Sequence, residues 1–192
     1  MEKSSINRNK YGLILILVIV AILWGDEMWI TWRFHQLCKD AGVHVYQKVE
    51  VEGFYNDVMP GGRELIEKYG YRFMEQKSNW EEQILHIEKH PDGFWISDYI
   101  EQPTARYIYK YSADNEDMGL QLEKQEWVIV DSETGEILGR DTTFKRYPGW
   151  FNGLWLRVTM GVYPTICMGS APKPPELRHL LYHYVLIPTN KN

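Results

Sequence analysis

Histidine pairs are the first residues of this chain whose type and spacing could support chemistry. His179 and His183 are four residues apart, so on a helix they would share a face at the spacing of two zinc ligands. The three residues between them, LLY, lack the glutamate that serves as general base in the HExxH arrangement. His86 and His90 have the same separation, but in a strand they would lie about 13 Å apart. Neither pair therefore predicts a metal site.

Two groups of acidic side chains could instead supply oxygen ligands to a cation. The groups are Asp131, Glu133 and Glu136, and Asp114, Glu116 and Asp117. Each falls in a segment typical of a solvated turn, which explains the residues better than a cation site or a pair of catalytic carboxylates. The chain also has no Gly-x-Ser-x-Gly elbow, phosphate-binding glycine loop or dinucleotide fingerprint. We therefore predict no catalytic, metal-binding or cofactor-binding residue.

The two cysteines, Cys38 and Cys167, both follow an apolar N-terminal segment that would carry them to a compartment where disulfides persist. The leading interpretation is a bridge between them. It would close a loop of about 130 residues and stabilise the fold by about 4–5 kcal/mol in the chain-entropy relation. Two buried free thiols are the alternative. A catalytic thiol is not favoured, because neither cysteine lies in a CxxC pair or an evident cationic setting.

The apolar segment over 11–25, YGLILILVIVAILWG, contains no charged residue. As a helix it covers about 22 Å, which is shorter than a hydrocarbon core of about 30 Å. The span would therefore use residues up to Trp32 or thin the bilayer locally. Trp24, Trp29 and Trp32 suit the headgroup level, where indole rings concentrate. We predict a transmembrane anchor over 11–32 with these tryptophans at the membrane interface.

Charged residues on either side of the anchor predict its orientation. They are Lys3, Arg8 and Lys10 before the apolar segment and Asp26 and Glu27 after it. The positive-inside rule keeps residues 1–10 cytoplasmic and puts 33–192 outside, which predicts a single-pass protein with an extracytoplasmic domain. A cleaved signal peptide is the alternative, although cutting after Gly25 would leave Leu23 where a small residue is preferred.

Charge and composition limit the partners of residues 33–192. Of the 21 Lys and Arg and the 26 Asp and Glu residues, three of each precede residue 33, so this part keeps the whole chain's net charge of −5. It contains no basic run that could follow phosphates, so we expect no nucleic-acid partner. Its length suits one domain that buries about 70% of its unfolded surface. The expected partners are the lipid bilayer and other envelope membrane proteins.

Hydrophobic periodicity predicts an α+β fold, in which the transmembrane helix is followed by a mainly antiparallel sheet of five or six strands packed with a few helices. The predicted elements are an extension of the first helix to Ala41 with Gly42 as its cap, strands over 43–51, 84–89, 93–100 and 104–112, a helix over 63–76, a hairpin of 125–130 with 136–147 around a turn from Asp131 to Gly135, and a final segment over 176–187 that begins as a helix. No βαβ alternation is visible, so a doubly wound parallel sheet is disfavoured.

Three groups of side chains could form a contact surface. They are a strand face with Tyr107, Tyr109 and Tyr111, a basic group of Arg140, Lys145 and Arg146, and an aromatic cluster of Tyr147, Trp150, Phe151, Trp155 and Tyr163. The tyrosines could line a pocket, the basic group could face anionic headgroups or a partner, and the cluster could lie at the membrane interface. An ordinary solvated face for the basic group and a core position for the cluster are the simpler alternatives.

Several short motifs resemble a family of small uncharacterised proteobacterial proteins that are membrane-anchored or exported. The motifs are LCKDAGVHVY over 37–46, DSETGEILGR over 131–140, RYPGW over 146–150 and the late Cys167. The resemblance implies a bacterial, periplasmic setting, in which the anchor would lie in the bacterial inner membrane and residues 33–192 in the periplasm. It assigns no catalytic or binding residue.

The sequence thus predicts a membrane-tethered periplasmic protein, more readily a non-enzymatic interaction or accessory subunit of an envelope complex than an enzyme. The alternative is a periplasmic enzyme or small-ligand binder that uses a pocket lined by the tyrosine face and the histidines. A deep pocket with convergent titratable groups would favour the alternative. A filled sheet face would favour the accessory subunit.

Overall fold

The computed structural model describes residues 3–58, 61–78, 83–117, 121–150, 153, 163–167 and 181–189. This part of the chain is α+β, with a large sheet and few helices. The helices are α1 (Lys3–Leu37), α2 (Gly62–Tyr69) and α3 (Leu181–Val185), with a 3₁₀ turn at Cys38–Asp40. The strands are β1 (Gly42–Val45), β2 (Val49–Val51), β3 (Gly53–Asn56), β4 (Phe73–Lys77), β5 (Ile84–Lys89), β6 (Trp95–Ile100), β7 (Tyr107–Asp117), β8 (Leu122–Asp131), β9 (Ile137–Arg146), β10 (Thr165–Cys167) and β11 (Leu186–Pro188).

The first helix is bent by 45° between Ala21 and Trp24. Within the described residues no single helix is long and apolar enough to cross a membrane, but the segments on the two sides of the bend pass that test together by length and composition. The helix ends at Leu37 rather than at the predicted Ala41, because a 3₁₀ turn follows it and Ala41 is already extended. Gly42 takes a φ of 116° and begins β1.

Nine strands form one sheet in the order β1-β9-β8-β7-β3-β4-β5-β6, with β10 also paired to β9. Both β1 and β10 are antiparallel to β9, with Gly42 opposite Thr142 and Cys167 opposite Phe144, so they follow one another along the same edge. A separate parallel pair joins β11 to β2. The prediction of a mainly antiparallel sheet is confirmed, but the described residues contain more strands than the five or six expected.

The segment after β2 differs most from the sequence prediction. The predicted helix over 63–76 ends at Tyr69, because Gly70 takes a left-handed φ of 82° and donates its N–H to the Ile66 carbonyl. The residues that follow form β4, which lies parallel to β3. This β3-α2-β4 unit is a single βαβ connection that was not visible in the sequence, and the sheet as a whole is not doubly wound. Apolar residues at helical spacing continued past Gly70 and hid the change to a strand.

The strand predicted over 43–51 is also interrupted. Its two halves, β1 and β2, pair with different partners, β9 and β11. Between them the N–H groups of Tyr46 and Gln47 both donate to the Leu138 carbonyl, at 2.9 and 3.0 Å. Two residues thus oppose one, as in a β-bulge, and the chain leaves the edge of the sheet there.

The hairpin of β8 and β9 is the element that the sequence predicted best. The Gly135 N–H donates to the Asp131 carbonyl at 2.8 Å, and Gly135 takes the predicted positive φ, at 74°. The Asp131 side chain accepts the Glu133 N–H at 3.0 Å. These bonds close the turn and set the register of the two strands that carry the site described below.

The main core lies between one face of the sheet and the helices α2 and α3. Its fully buried residues include Phe54, Met74, Ile129, Tyr182 and Val185. A Cβ added to Gly139 on β9 would lie 2.6 Å from a methyl group of Val185, so this glycine allows α3 to approach the sheet closely. The predicted final segment over 176–187 is a helix only from Leu181 to Val185 in the described residues, followed by β11.

Candidate functional site

The outer half of α1 packs onto the end of the sheet rather than standing apart from it. Ile30 and Phe34 are 2% and 5% exposed and form a small hydrophobic core with Leu122 of β8 and Phe144 of β9. Two buried residues four apart make one face of the helix apolar. This packing is the base of a helix–sheet junction, which we define as α1 from Asp26 to the 3₁₀ turn together with its contacts on the sheet.

A disulfide between Cys38 and Cys167 joins the two sides of the junction, as the sequence predicted. The cysteines are 129 residues apart in sequence, and their Cα atoms are separated by 5.8 Å. Cys167 reaches this point because β10 pairs with the end of β9, while the 3₁₀ turn carrying Cys38 leads into β1 on the same edge. The covalent link therefore connects the end of α1 directly to an edge of the sheet.

Polar contacts hold a second point of α1, one turn before the apolar contacts. The Glu27 carboxylate forms an ion pair with Arg146 at 3.1 Å and accepts the Gly149 N–H at 2.6 Å. Asp26 accepts the Trp150 N–H at 2.6 Å, and Arg146 also donates to the hydroxyl of Thr31. The side chains of Glu27 and Arg146 are only about one-fifth exposed, so solvent screens this pair less than a surface ion pair.

The segment after β9 must come very close to α1 for these contacts to form. A Cβ added to Gly149 would lie 2.6 Å from a carboxylate oxygen of Asp26 and 3.0 Å from one of Glu27. Only glycine leaves room for both carboxylates at this position. The RYPGW motif over 146–150 thus supplies a cation, a close approach and two backbone donors to the helix.

The face of α1 away from the sheet carries large exposed side chains. Trp24, Met28, Trp29 and Trp32 are 42%, 74%, 53% and 51% exposed, and the rings of Trp29 and Trp32 are 5.0 Å apart. On a helix, positions 24, 28 and 32 lie on the side opposite to positions 26, 30 and 34. The three tryptophans predicted for the membrane interface therefore lie beside the junction and do not take part in its core.

The predicted basic group is neutralised by carboxylates in the described residues. Besides the Arg146–Glu27 pair, Lys145 lies 3.3 Å from Glu123 and Arg140 lies 3.9 Å from Glu126. These contacts are an ordinary arrangement of paired charges on a sheet face.

Glu123 is held ionised near the junction. Partial burial opposes its ionisation, but hydrogen bonds from Tyr147 and Gln125 and the charge of Lys145 lower the pKa of this carboxyl below its usual value. Tyr147 directly precedes the turn that reaches α1. The charged form of Glu123 therefore helps to position that turn.

The tyrosine face does not form a pocket. Tyr109 is wholly buried, with Tyr182 of α3 packed edge-on at a ring distance of 5.4 Å, and burial raises its pKa. Tyr107 and Tyr111 pack around the same core. The pocket suggested as an alternative is thus filled by the C-terminal helix. Of the aromatic cluster, Phe151 and Trp155 lie outside the described residues, and Trp150 and Tyr163 are exposed.

The histidine and acidic groups have separate surroundings. His179 lies outside the described residues, and His183 packs 5.0 Å from the Tyr69 ring. Asp131 accepts three hydrogen bonds from Arg106, which lower the pKa of its carboxyl. The other acidic group, Asp114, Glu116 and Asp117, has its side chains outside the described part of the chain. Among the residues described, no group of His, Cys, Asp and Glu could hold a metal ion.

A buried carboxylate that the sequence reading missed is Glu75 on β4. It is wholly buried, accepts the N–H groups of Thr104 and Ala105 at 2.9 and 3.0 Å, and lies 3.2 Å from Nδ1 of His86. The bonds from Thr104 and Ala105 hold the loop between β6 and β7 against the sheet, while His86 lies on the neighbouring strand β5. The misassigned helix over 63–76 hid this residue, because the strand that aims it inward was not expected.

Comparisons of the chain with protein-family models, with curated proteins and with solved structures give no match. The functional assignment therefore rests on the geometry of the junction.

Proposed function

We propose that this chain is a membrane-tethered accessory subunit of the bacterial envelope that holds a periplasmic domain at a fixed orientation over the inner membrane. Residues 11–32 are its single-pass anchor, with the part from Asp26 onward, which contacts the sheet, at the outer membrane interface; residues 1–10 are cytoplasmic and residues 33–192 are periplasmic. The domain has no catalytic role in this proposal. It acts by contacting other membrane proteins of the same complex.

The observation that carries the proposal is the double attachment of α1 to the sheet. One attachment is the Cys38–Cys167 disulfide, and the other is the cluster in which Asp26 and Glu27 contact residues 146–150. The two are separated by three turns of helix, about 16 Å, so together they resist both rotation and tilting of α1 relative to the sheet. A tether that only kept the domain near the membrane would need neither.

Support for the membrane and the compartment comes from the sequence and from the disulfide. The apolar segment, the charge difference across it and the tryptophans suit an anchor with its N-terminus in the cytoplasm. A structural disulfide suits the oxidising periplasm. The resemblance to exported proteobacterial proteins favours the same setting.

The surface that would meet a neighbour is the exposed face of α1 with Trp24, Met28, Trp29 and Trp32. Because the opposite face is occupied by the sheet, this face is the one that a second membrane helix or the lipid headgroups can reach. Tethering both partners to one membrane raises their effective concentration, so a small contact suffices for association. The fixed junction then presents the domain to the same neighbour in one orientation.

Two alkaline phosphatase fusions test the topology. A fusion after Asn192 should be active, and a matched fusion after Lys10 should be inactive, since the enzyme folds only where disulfides form. An inactive fusion after Asn192 would overturn the periplasmic placement and the accessory role with it.

Photo-crosslinking in intact cells tests the accessory role separately. A photoreactive amino acid at Met28 should give a reproducible crosslinked membrane protein, identified by mass spectrometry. The matched control is the same amino acid at Leu15, which is 61% exposed in the apolar segment and reports random collisions in the bilayer. Equal products from the two positions would contradict the role while leaving the topology intact.

A further inference from the structure

The free edge of β6 is the feature that carries an inference beyond the proposed function. β6 ends the nine-stranded sheet and pairs with β5 on one side, from Trp95 opposite Lys89 to Ile100 opposite Ile84. Within the described part of the chain, no strand covers its other side. Natural edge strands are usually protected by proline, lysine or a bulge. The sequence of β6, WISDYI, contains neither residue, and its register with β5 is unbroken.

Hydrogen bonds around the β5–β6 turn show which backbone groups face the free edge. The His90 N–H donates to the Phe94 carbonyl at 2.9 Å, whereas the Lys89 N–H points the other way and donates to the Arg72 carbonyl at 3.1 Å. Because inward and outward groups alternate along an antiparallel strand, every second residue of β6 presents both its N–H and its C=O to the free edge. These residues are Trp95, Ser97 and Tyr99.

The side chains along this edge are suited to a second strand. Tyr99 is 62% exposed, and Phe94 just before the strand is 53% exposed. Asp98 is the one charged residue within β6. One exposed aromatic side chain within the strand, a second just before it and a single charge are compatible with pairing to another chain.

We propose that β6 pairs antiparallel with β6 of a second copy of this chain, about a twofold axis at Ser97. In this register Ser97 lies opposite Ser97 and each Trp95 lies opposite Tyr99 of the other copy. The three outward pairs each exchange two backbone hydrogen bonds, which gives about six in total. Trp95 and Tyr99 then form two aromatic cross-strand pairs, a favourable combination.

The neighbouring registers fit less well, which is why the second copy is centred on Ser97. An axis at Asp98 would place two carboxylates directly opposite each other and would leave only two outward pairs, or about four hydrogen bonds. An axis at Ile96 also leaves two outward pairs. The arrangement centred on Ser97 is therefore the one that uses every outward group without placing two carboxylates opposite each other.

The size of the contact sets the expected affinity. One strand added to one strand buries less than the roughly 1,200 Å² that marks the lower limit of standard interfaces, so the dimer dissociates in the micromolar range. The edge lies six strands from β9, or about 29 Å, which separates it from the helix–sheet junction. Substitutions in β6 therefore leave the junction intact, and the inference does not depend on the proposed function.

A cysteine placed at the twofold axis tests the register. In Ser97→Cys the two Cα atoms would be about 5.5 Å apart, within the range that a disulfide spans. The full-length variant, purified in detergent, should form a disulfide-linked dimer at least about tenfold faster than Thr134→Cys, which puts an exposed thiol in the β8–β9 turn of the same sheet. Equal rates for the two variants would overturn the pairing.

The same variant in intact cells distinguishes a second copy from another occupant. A disulfide-linked homodimer of Ser97→Cys is the expected product. A mixed disulfide with a different protein would overturn the proposal, because the edge would then be occupied by that partner.

A matched pair of substitutions tests the association without a crosslink. Ser97→Lys would place two like charges opposite each other, whereas Ser97→Thr keeps a small, uncharged residue that suits a strand. By sedimentation of the full chain in detergent, Ser97→Thr should dimerise like the wild type, and Ser97→Lys about fivefold more weakly or worse. Circular dichroism should be the same for all three. A wild type that stays monomeric to about 100 μM, or a Ser97→Lys variant that dimerises normally, would refute the proposal.

Discussion

Removal of the Cys38–Cys167 disulfide should lower the free energy of unfolding by a large amount that can be calculated from the length of the closed loop. The bond closes a loop with a sequence separation of 129 residues. The chain-entropy relation assigns such a loop about 5 kcal/mol at 25 °C, because the crosslink restricts the unfolded chain far more than the folded one. The folded structure should survive, since Ile30 and Phe34 remain packed on Leu122 and Phe144.

The double variant Cys38→Ala/Cys167→Ala tests this value directly. Urea unfolding of the full chain in detergent, followed by tryptophan fluorescence, should show the free energy of unfolding reduced by about 3–5 kcal/mol relative to the oxidised wild type. Wild-type protein reduced with a phosphine is the matched control and should unfold like the variant. The free energy of unfolding of the variant should also fall more steeply with urea concentration, because an unfolded chain without the disulfide exposes more surface.

The outcome that refutes the reasoning is a loss of less than about 1 kcal/mol. It would mean that α1 and β10 stay together in the unfolded state, so that the bond restricts nothing. The junction would then be maintained by its noncovalent contacts alone.

Three further predictions concern single positions. Gly149→Ala should lower the free energy of unfolding by about 1–3 kcal/mol, because the contacts to the two carboxylates are lost. The control Gly25→Ala, whose added Cβ meets nothing within 4 Å, should not lower it. The urea midpoints of unfolding of the two variants measure the difference. Arg106 lowers the folded-state pKa of Asp131 below the ordinary 3.8, so the ion pair stabilises the fold above that pH. This stabilisation is lost as the pH falls through the lowered pKa. The difference in free energy of unfolding between the wild type and Asp131→Asn should therefore disappear in acid. Glu75→Gln should lower the free energy of unfolding by about 2–4 kcal/mol, because an amide group replaces one of the oxygens that accept hydrogen bonds in a buried site. The measurement is a lower midpoint of thermal unfolding, and an unchanged midpoint would contradict the stabilising role of this buried carboxylate.

Local patterns were sufficient where neighbouring residues decide the conformation. The β8–β9 hairpin follows from Asp131 and Gly135, whose side-chain acceptor and positive φ close the turn whatever surrounds it. The amphipathic outer half of α1 follows from the spacing of Ile30 and Phe34. The predicted disulfide is another success, since two cysteines allow one intramolecular pair.

Local sequence patterns predicted the wrong element where pairing with distant strands outweighs the conformation that local spacing favours. Residues 73–77 carry apolar side chains that continue the helical spacing of α2, yet they form β4 because β3 and β5 offer backbone partners on both sides. The same competition divides 43–51, whose two halves pair with strands about 95 and 137 residues away in sequence. Local propensity cannot rank such partners, because their free energy depends on the assembled sheet.

The sequence by itself determined the apolar segment, the charges around it, the two cysteines and the turn that sets β8 against β9, because each depends on composition or on residues close together in the chain. Only the tertiary structure decided what Asp26 and Glu27 do. In the sequence they were a charge signal after an apolar run, and in the fold they contact Arg146, Gly149 and Trp150. Contacts between residues more than 100 positions apart depend on the course of the whole sheet between them, which no local pattern records.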